Sequence, residues 1–189
     1  MRLAVVPQGH PLRATTETFI RGVYRETYGA QIDQFAPLLV ASLDDTNVQC
    51  AAGLRFEEDG FFSERYLDQP VDRILTGLGG VPIWRDEIFE VTSLASQSPS
   101  DVPRFFRQIA AFGKAGGFQW AFFTATERVQ RLLTRMKLPM NTLSAADPAR
   151  VERPEQWGSY YSARPVVLAS SRENLASSRC HERQEARHV

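Results

Sequence analysis

The chain has 189 residues with 22 basic and 22 acidic side chains, a formal net charge of zero that offers no global field for nucleic acid or an anionic bilayer. A hydrophobic content of 43% is that of a soluble globular protein with enough chain to bury a core. Cys50 and Cys180 are too few for a disulfide framework, and the opening "MRLAVVPQGHPLR" is interrupted by Pro7 and Gly9, unlike a signal peptide, so a cytoplasmic location is expected. "LAVVP" reads as a first strand. In "ATTETFIRGVYRETYGA", Phe19, Ile20, Val23, Tyr24 and Tyr28 make a helical stripe, with Thr15 or Thr16 as cap and Gly29 as stop. "APLLVASLDD" and "VQCAAGLRF" read as two strands joined at "DDTN". "FFSERYL" is extended or a short helix, and "QPVDRILTGL" is a helix ending at Gly79-Gly80. "IFEVTSLAS" is a strand, and "SPSDVPRFFRQIAAFGKAGG" is a helix with a polar cap and terminal glycines. "FQWAFFTAT" is a buried strand, "ERVQRLLTRMKL" a helix with Val129, Leu132, Leu133 and Met136 on one face, and "RPVVLAS" a last strand. From about Arg172 onward the chain mixes charges without a core pattern and reads as a flexible polar tail. This order argues an α/β or α+β sheet flanked by helices.

Histidines occur only at His10, His181 and His188, away from the core segments, which argues against Ser-His-Asp and Cys-His catalysis. No pair of residues has zinc-ligand spacing, so no metal is expected. "GKAGG" follows a helix, the wrong end for phosphate, and reads as a helix stop.

What remains is acid and guanidinium chemistry. In "IFEVTSLAS" the period of two puts Ile88, Glu90, Thr92 and Leu94 on one face, and Phe89, Val91, Ser93 and Ala95 on the other. A carboxylate inside an apolar strand is costly to desolvate. Glu90 is either half of an internal salt bridge with Arg55 or Arg65, or a carboxylate of perturbed proton affinity beside an open pocket. Arg55 closes the preceding strand just after Gly53, and "SERYLD" brings Glu64, Arg65 and Asp68 together. "WGSYY", with Trp157 and Tyr160, is either a core plug or an aromatic wall to an acyl or amine pocket.

Taken in order, "FIRGVYRETYGAQIDQFAPLLV", "AAGLRF", "FFSERYLD", "IFEVTSLAS", "FTAT" and "WGSYY" resemble the thermostable hemolysin family, from about Thr16 to about Val167. That family looks like a branch of the GNAT-type acyltransferase fold, similar in layout to the acyl-homoserine-lactone (autoinducer) synthases. The resemblance implies a central mixed sheet with helices on both faces, as one acyltransferase domain over residues 1–171 before the tail at 172–189. It also implies transfer of an acyl group from a CoA or acyl-carrier-protein thioester to a small-molecule amine, in secondary metabolism or signalling. Arg55 and Glu90 match the arginine and strand glutamate of the autoinducer synthases and are expected to be catalytic. Asp33 resembles an acid in the loop after their first helix. Glu64, Arg65, Thr92, Ser93, Trp157 and Tyr160 are expected to join Asp33 around the substrate, with Arg55 and Arg65 fixing a substrate carboxylate, a phosphate or Glu90 itself.

Two segments depart from the pattern. "VTSLA" stands where the family usually has a glycine and an asparagine, and "SQSPSDV" lacks the glycine-rich pyrophosphate loop of acetyl-CoA-dependent relatives, which brings a carrier-protein donor forward. Two other readings stand beside the enzyme: a toxin acting on membranes directly, for which no spanning segment is visible, and a non-catalytic GNAT-like binding module.

Overall fold

The computed structural model describes residues 2–173. Its elements run β1 (Arg2–Val6), α1 (Arg13–Tyr28), β2 (Leu38–Asp44), β3 (Asn47–Arg55), α2 (Val71–Gly79), β4 (Ile88–Ser96), α3 (Val102–Ala115), β5 (Trp120–Ala125), α4 (Glu127–Arg135), β6 (Asn141–Ala145) and β7 (Val166–Ser171). A short 3-10 turn at Ser63–Tyr66 lies between β3 and α2. The strands form one seven-stranded sheet in the order β1-β2-β3-β4-β5-β7-β6, antiparallel throughout except for the parallel pair β4 and β5.

Strand alternation divides the core into two faces. Leu39, Ala41 and Ala51 point toward α1, where they bury Ile20 and Tyr24, and further along the same face Ile88, Phe122 and Ala169 pack on Leu75 and Val71 of α2. On the other face Val40, Leu54, Phe89, Val91, Phe123 and Leu168 pack on Phe105, Phe106 and Ile109 of α3 and Leu133 of α4. Each fully buried aliphatic or aromatic side chain contributes on the order of 1.5–3 kcal/mol. Helices therefore cover both faces, as the GNAT-like layout requires.

The feature that makes a site is where β4 and β5 part. Their parallel ladder runs from Ile88↔Trp120 to Val91↔Phe123 and stops there. Beyond Val91, β4 stays paired only with β3, so the main-chain groups on its other edge have no strand partner. At the same place β4 carries an extra residue: Gly53 faces Thr92 but Ala51 faces Ala95, and Ser93 has φ 49°. A bulge of this kind bends the strand and reverses its alternation. Leu94 consequently joins the face of Phe89 and Val91, and Ala95 joins the α1 face, the opposite of what strict period two predicts.

Other departures are local. Leu12, not Thr15 or Thr16, is the N-cap of α1, and Thr16 instead donates its hydroxyl to the Leu12 carbonyl at 2.8 Å within the first turn. Strand β6 is absent from the sequence reading. It is a five-residue edge strand with no fully buried side chain, so it lacks the alternation that would betray it. Of the expected tail, only Arg172 and Glu173 fall within the described residues.

Candidate active site

Glu90 lies directly across from Arg55 on β3 and beside Phe122 on β5, on the α1/α2 face of the sheet. The chain after β3 folds over this face, so that the Phe62 and Ser63 amides donate to the two Glu90 carboxylate oxygens at 2.6 and 2.7 Å. The side chain is fully buried. Burial pushes the Glu90 carboxyl up to about 7, against the opposing pull of the Ser63 hydroxyl, the two amides and the Arg55 charge. Desolvation outweighs hydrogen bonding here because the carboxyl has no access to water at all.

Among the described residues, neither expected salt bridge to Glu90 forms. Arg55 donates from Nη1 to the carbonyls of Asp59 and Gly60 at 3.1 and 3.4 Å. Arg65 lies over the Phe62 ring, 4.0 Å from its centroid, and donates from Nε to the Phe62 carbonyl.

A polar cavity of about 480 Å³ opens on this face. Arg55, Ser63, Thr92, Ser93 and Thr124 line its floor, Asp33 and Arg65 lie on its sides, and Phe62, Trp157 and Tyr160 form an aromatic wall. Glu90 is not itself on the wall: it sits behind Ser63, whose hydroxyl is 2.8 Å from Thr124 Oγ1 and near enough to Glu90 to lower its proton affinity. Thr92 reaches the floor because residue 53 is glycine. A Cβ there would come within 2.5 Å of Thr92 Oγ1 and 2.8 Å of the Ala36 methyl.

The aromatic segment is plug and wall at once. Trp157 packs at tilted and edge-on angles against Tyr24, Phe62, Tyr160 and Tyr161 while also lining the cavity. Gly158, at φ 53°, lets the segment pass the end of α1, where a Cβ would meet the Tyr28 carbonyl at 2.1 Å. Ser159 fixes the approach by donating its amide to the same carbonyl at 2.8 Å.

Glu64 is the expected site residue that the fold takes elsewhere. Its carboxylate grips Arg85 through both oxygens at 2.6 and 3.0 Å and accepts the Val71 amide at 2.9 Å, which ties the turn to the start of α2 and away from the cavity wall. Ser63 and Thr124 are the residues that sequence reasoning missed. Ser63 was hidden among charged neighbours in "FFSERYL"; Thr124 is the one hydroxyl in the otherwise apolar β5, a signal that was available.

The opposite face holds a second cavity of about 540 Å³, under α3 and the segment after α4. Its wall is apolar, with Phe106, Phe123, Met136 and Met140, and the exposed side chains Arg107, Lys114 and Arg172 also line it. Gly113 lets α3 ride on the Phe89 ring, where a Cβ would come within 2.5 Å. Val91 lines both cavities, so they approach each other at the point where β4 and β5 separate.

A seven-stranded mixed sheet whose two parallel strands part after four rungs, with a bulge in the first of them, defines a GNAT-like acyltransferase fold. Residues 6–175 match the thermostable hemolysin family, and the chain belongs to it. Among curated proteins none matches the sequence. Solved structures give the fold at low identity. The acyl-homoserine lactone synthase LasI is 12% identical with a TM-score of 0.61, over 90% of this chain and 89% of that one. FeeM, an N-acyl amino acid synthase from uncultured soil microbes, is 11% identical with a TM-score of 0.61, over 94% and 99%. MesI, a CoA-dependent acyl-homoserine lactone synthase, is 18% identical with a TM-score of 0.56, over 95% and 94%.

Proposed function

We propose that this protein is an N-acyltransferase that moves a long acyl chain from a thioester to a small polar amine. The observation that carries the reading is the pair of cavities of opposite chemistry that share Val91 as a lining residue, at the last rung of the β4–β5 ladder. A cavity of 150 Å³ holds benzene, so one of about 540 Å³ holds on the order of twenty carbons. The apolar cavity thus takes the acyl chain, the polar cavity takes the amine, and the thioester carbonyl lies between them beside Val91 and Ser93.

In this arrangement the amine nitrogen attacks the carbonyl carbon, the C–N bond forms, and the C–S bond breaks to release a thiol. The developing oxyanion is stabilised by main-chain amides of β4 that have lost their strand partner past Val91. The proton lost by the amine passes through the Thr124 and Ser63 hydroxyls to Glu90, whose affinity near pH 7 suits a proton acceptor. Glu90 acts through Ser63, not by touching the acceptor. The Phe62–Ser63 amides, anchored on Glu90, fix the turn that forms one side of the amine cavity. The donor is an acyl-CoA or an acyl-carrier-protein thioester. The connection from β4 and the first turn of α3 favour the carrier protein: Pro99 removes an amide from the connection and Pro103 one from the turn, and Asp101 adds a negative charge where a CoA pyrophosphate would need donors.

The product, a long chain on a polar head, is a detergent. The lysis that the family's description implies then needs no membrane-crossing helix, and among the described residues no helix is long and apolar enough to be one. The test is thiol release from dodecanoyl and hexadecanoyl thioesters, on CoA and on carrier protein, in the presence of a panel of amines. Amide formation is expected, the purified protein alone is expected to leave erythrocytes intact, and the completed reaction mixture is expected to lyse them. Lysis by the protein without substrates would favour the direct toxin.

A further inference from the structure

We infer that the acceptor amine carries a carboxylate, as an α-amino acid does, and that Arg55 is the residue that selects it. This rests on the acyltransferase reading and names the chemical class of its acceptor. Arg55 is half-buried at the end of β3 and lines the polar cavity. Its guanidinium is held by one corner only: Nη1 donates to the Asp59 and Gly60 carbonyls, while among the described residues Nε and Nη2 make no hydrogen bond. Two carboxylates flank it, and both are committed elsewhere. Glu90, across the ladder, has each oxygen on a main-chain amide. Asp59 accepts the Phe56 amide at 3.0 Å through Oδ2 and makes no ion pair with Arg55.

A guanidinium pinned at one corner on a cavity wall, with donors left over, is a receptor for a planar anion, because the fork geometry matches a carboxylate in two parallel hydrogen bonds. The remainder of the wall fits a zwitterion better than a bare anion. Apart from Arg55, the wall carries three acids, Asp33, Asp59 and Glu152, against Arg65 and Arg153, a surplus that suits the ammonium end of a zwitterion. With the carboxylate on Arg55, the α-amino group stands near Ser63 and Thr124, on the same floor. The balanced step is acyl thioester plus amino acid giving N-acyl amino acid plus thiol, with the amine proton leaving toward Ser63.

The experiment pairs each amino acid with its own carboxamide. L-phenylalanine, L-leucine and L-glutamine and their carboxamides are tried as acceptors with a dodecanoyl thioester, and their binding to the protein without donor is measured by calorimetry. Wild-type protein is expected to favour at least one acid over its amide by about 10- to 100-fold in KM. Arg55→Gln should erase that preference, and Arg55→Lys should restore part of it while leaving the KM for the donor unchanged. Acylation of acid and amide alike would overturn the inference and leave acyl transfer standing. A rise in donor KM in Arg55→Gln with no change toward the acceptor would also overturn it, since the arginine would then grip the donor. If acids bind and amides do not, yet no amide bond ever forms, the Arg55 site stands and the acyltransferase reading falls.

Discussion

On the α1/α2 face, glycine at residue 53, the bulge at Ser93 and a chain folded back from β3 leave polar groups around a cavity, with a buried carboxyl behind them. On the α3/α4 face the same strands present Phe89, Val91 and Phe123, and the space above them is apolar and partly lined by flexible methionines. A strand alternates by geometry, so one stretch of β4 can serve both faces at once: residues 90 and 92 on one side, 89 and 91 on the other. In the proposed reaction, chemistry and chain-holding are thereby separated by the thickness of one sheet, and the acyl thioester passes between β4 and β5 beyond Val91.

Substitutions on the two faces should therefore have separable consequences. Replacing Glu90 by Gln should lower turnover by about 10²- to 10⁴-fold and remove the rise in kcat with pH near 7, leaving chain binding intact; a pH–rate profile reads both. A merely structural Glu90 would change stability without moving that profile.

The same residue makes a stability prediction. Its folded proton affinity, about 7, lies above the ordinary 4.5, so the native state holds the proton over a window in which the unfolded chain has released it. The contribution is fully present below pH 4.5 and is lost as pH rises toward 7, by about 3 kcal/mol. Urea unfolding at pH 5 and pH 8 should show that loss in wild type and little of it in Glu90→Gln.

Gly53→Ala forces a methyl against Thr92 and Ala36 and should cost about 1–3 kcal/mol in denaturant unfolding. Of what function remains, the loss should fall on acceptor KM, not on chain preference. On the other face, Ala110→Trp, which fills the apolar cavity from α3, should shift preference toward shorter acyl chains by about tenfold in kcat/KM per two carbons lost, with acceptor KM unchanged. Competition between dodecanoyl and hexadecanoyl thioesters measures it.

Much of this was legible in the residues. Periodicity, glycine stops and the "DDTN" turn located six of the seven strands and all four helices, and a glutamate in an apolar strand drew attention to the face on which the polar cavity opens. The edge strand β6 was silent because nothing in it is fully buried. The β4 bulge could not be read because alternation is assumed until a register is seen, and that bulge moved Leu94 and Ala95 to opposite faces. The Glu64–Arg85 pair was not legible because the two residues lie 21 positions apart in the chain. Neither cavity can be read from sequence, since each is the space left when distant elements pack.

The most direct test is a structure with a non-hydrolysable hexadecanoyl pantetheine thioether bound. Its chain should lie between α3 and β5, against Phe106, Phe123 and Met140, with the carbonyl-equivalent carbon beside Val91 and Ser93 and the polar cavity left for the amine. A chain lying in the polar cavity, or bound only on the outer surface, would contradict the account.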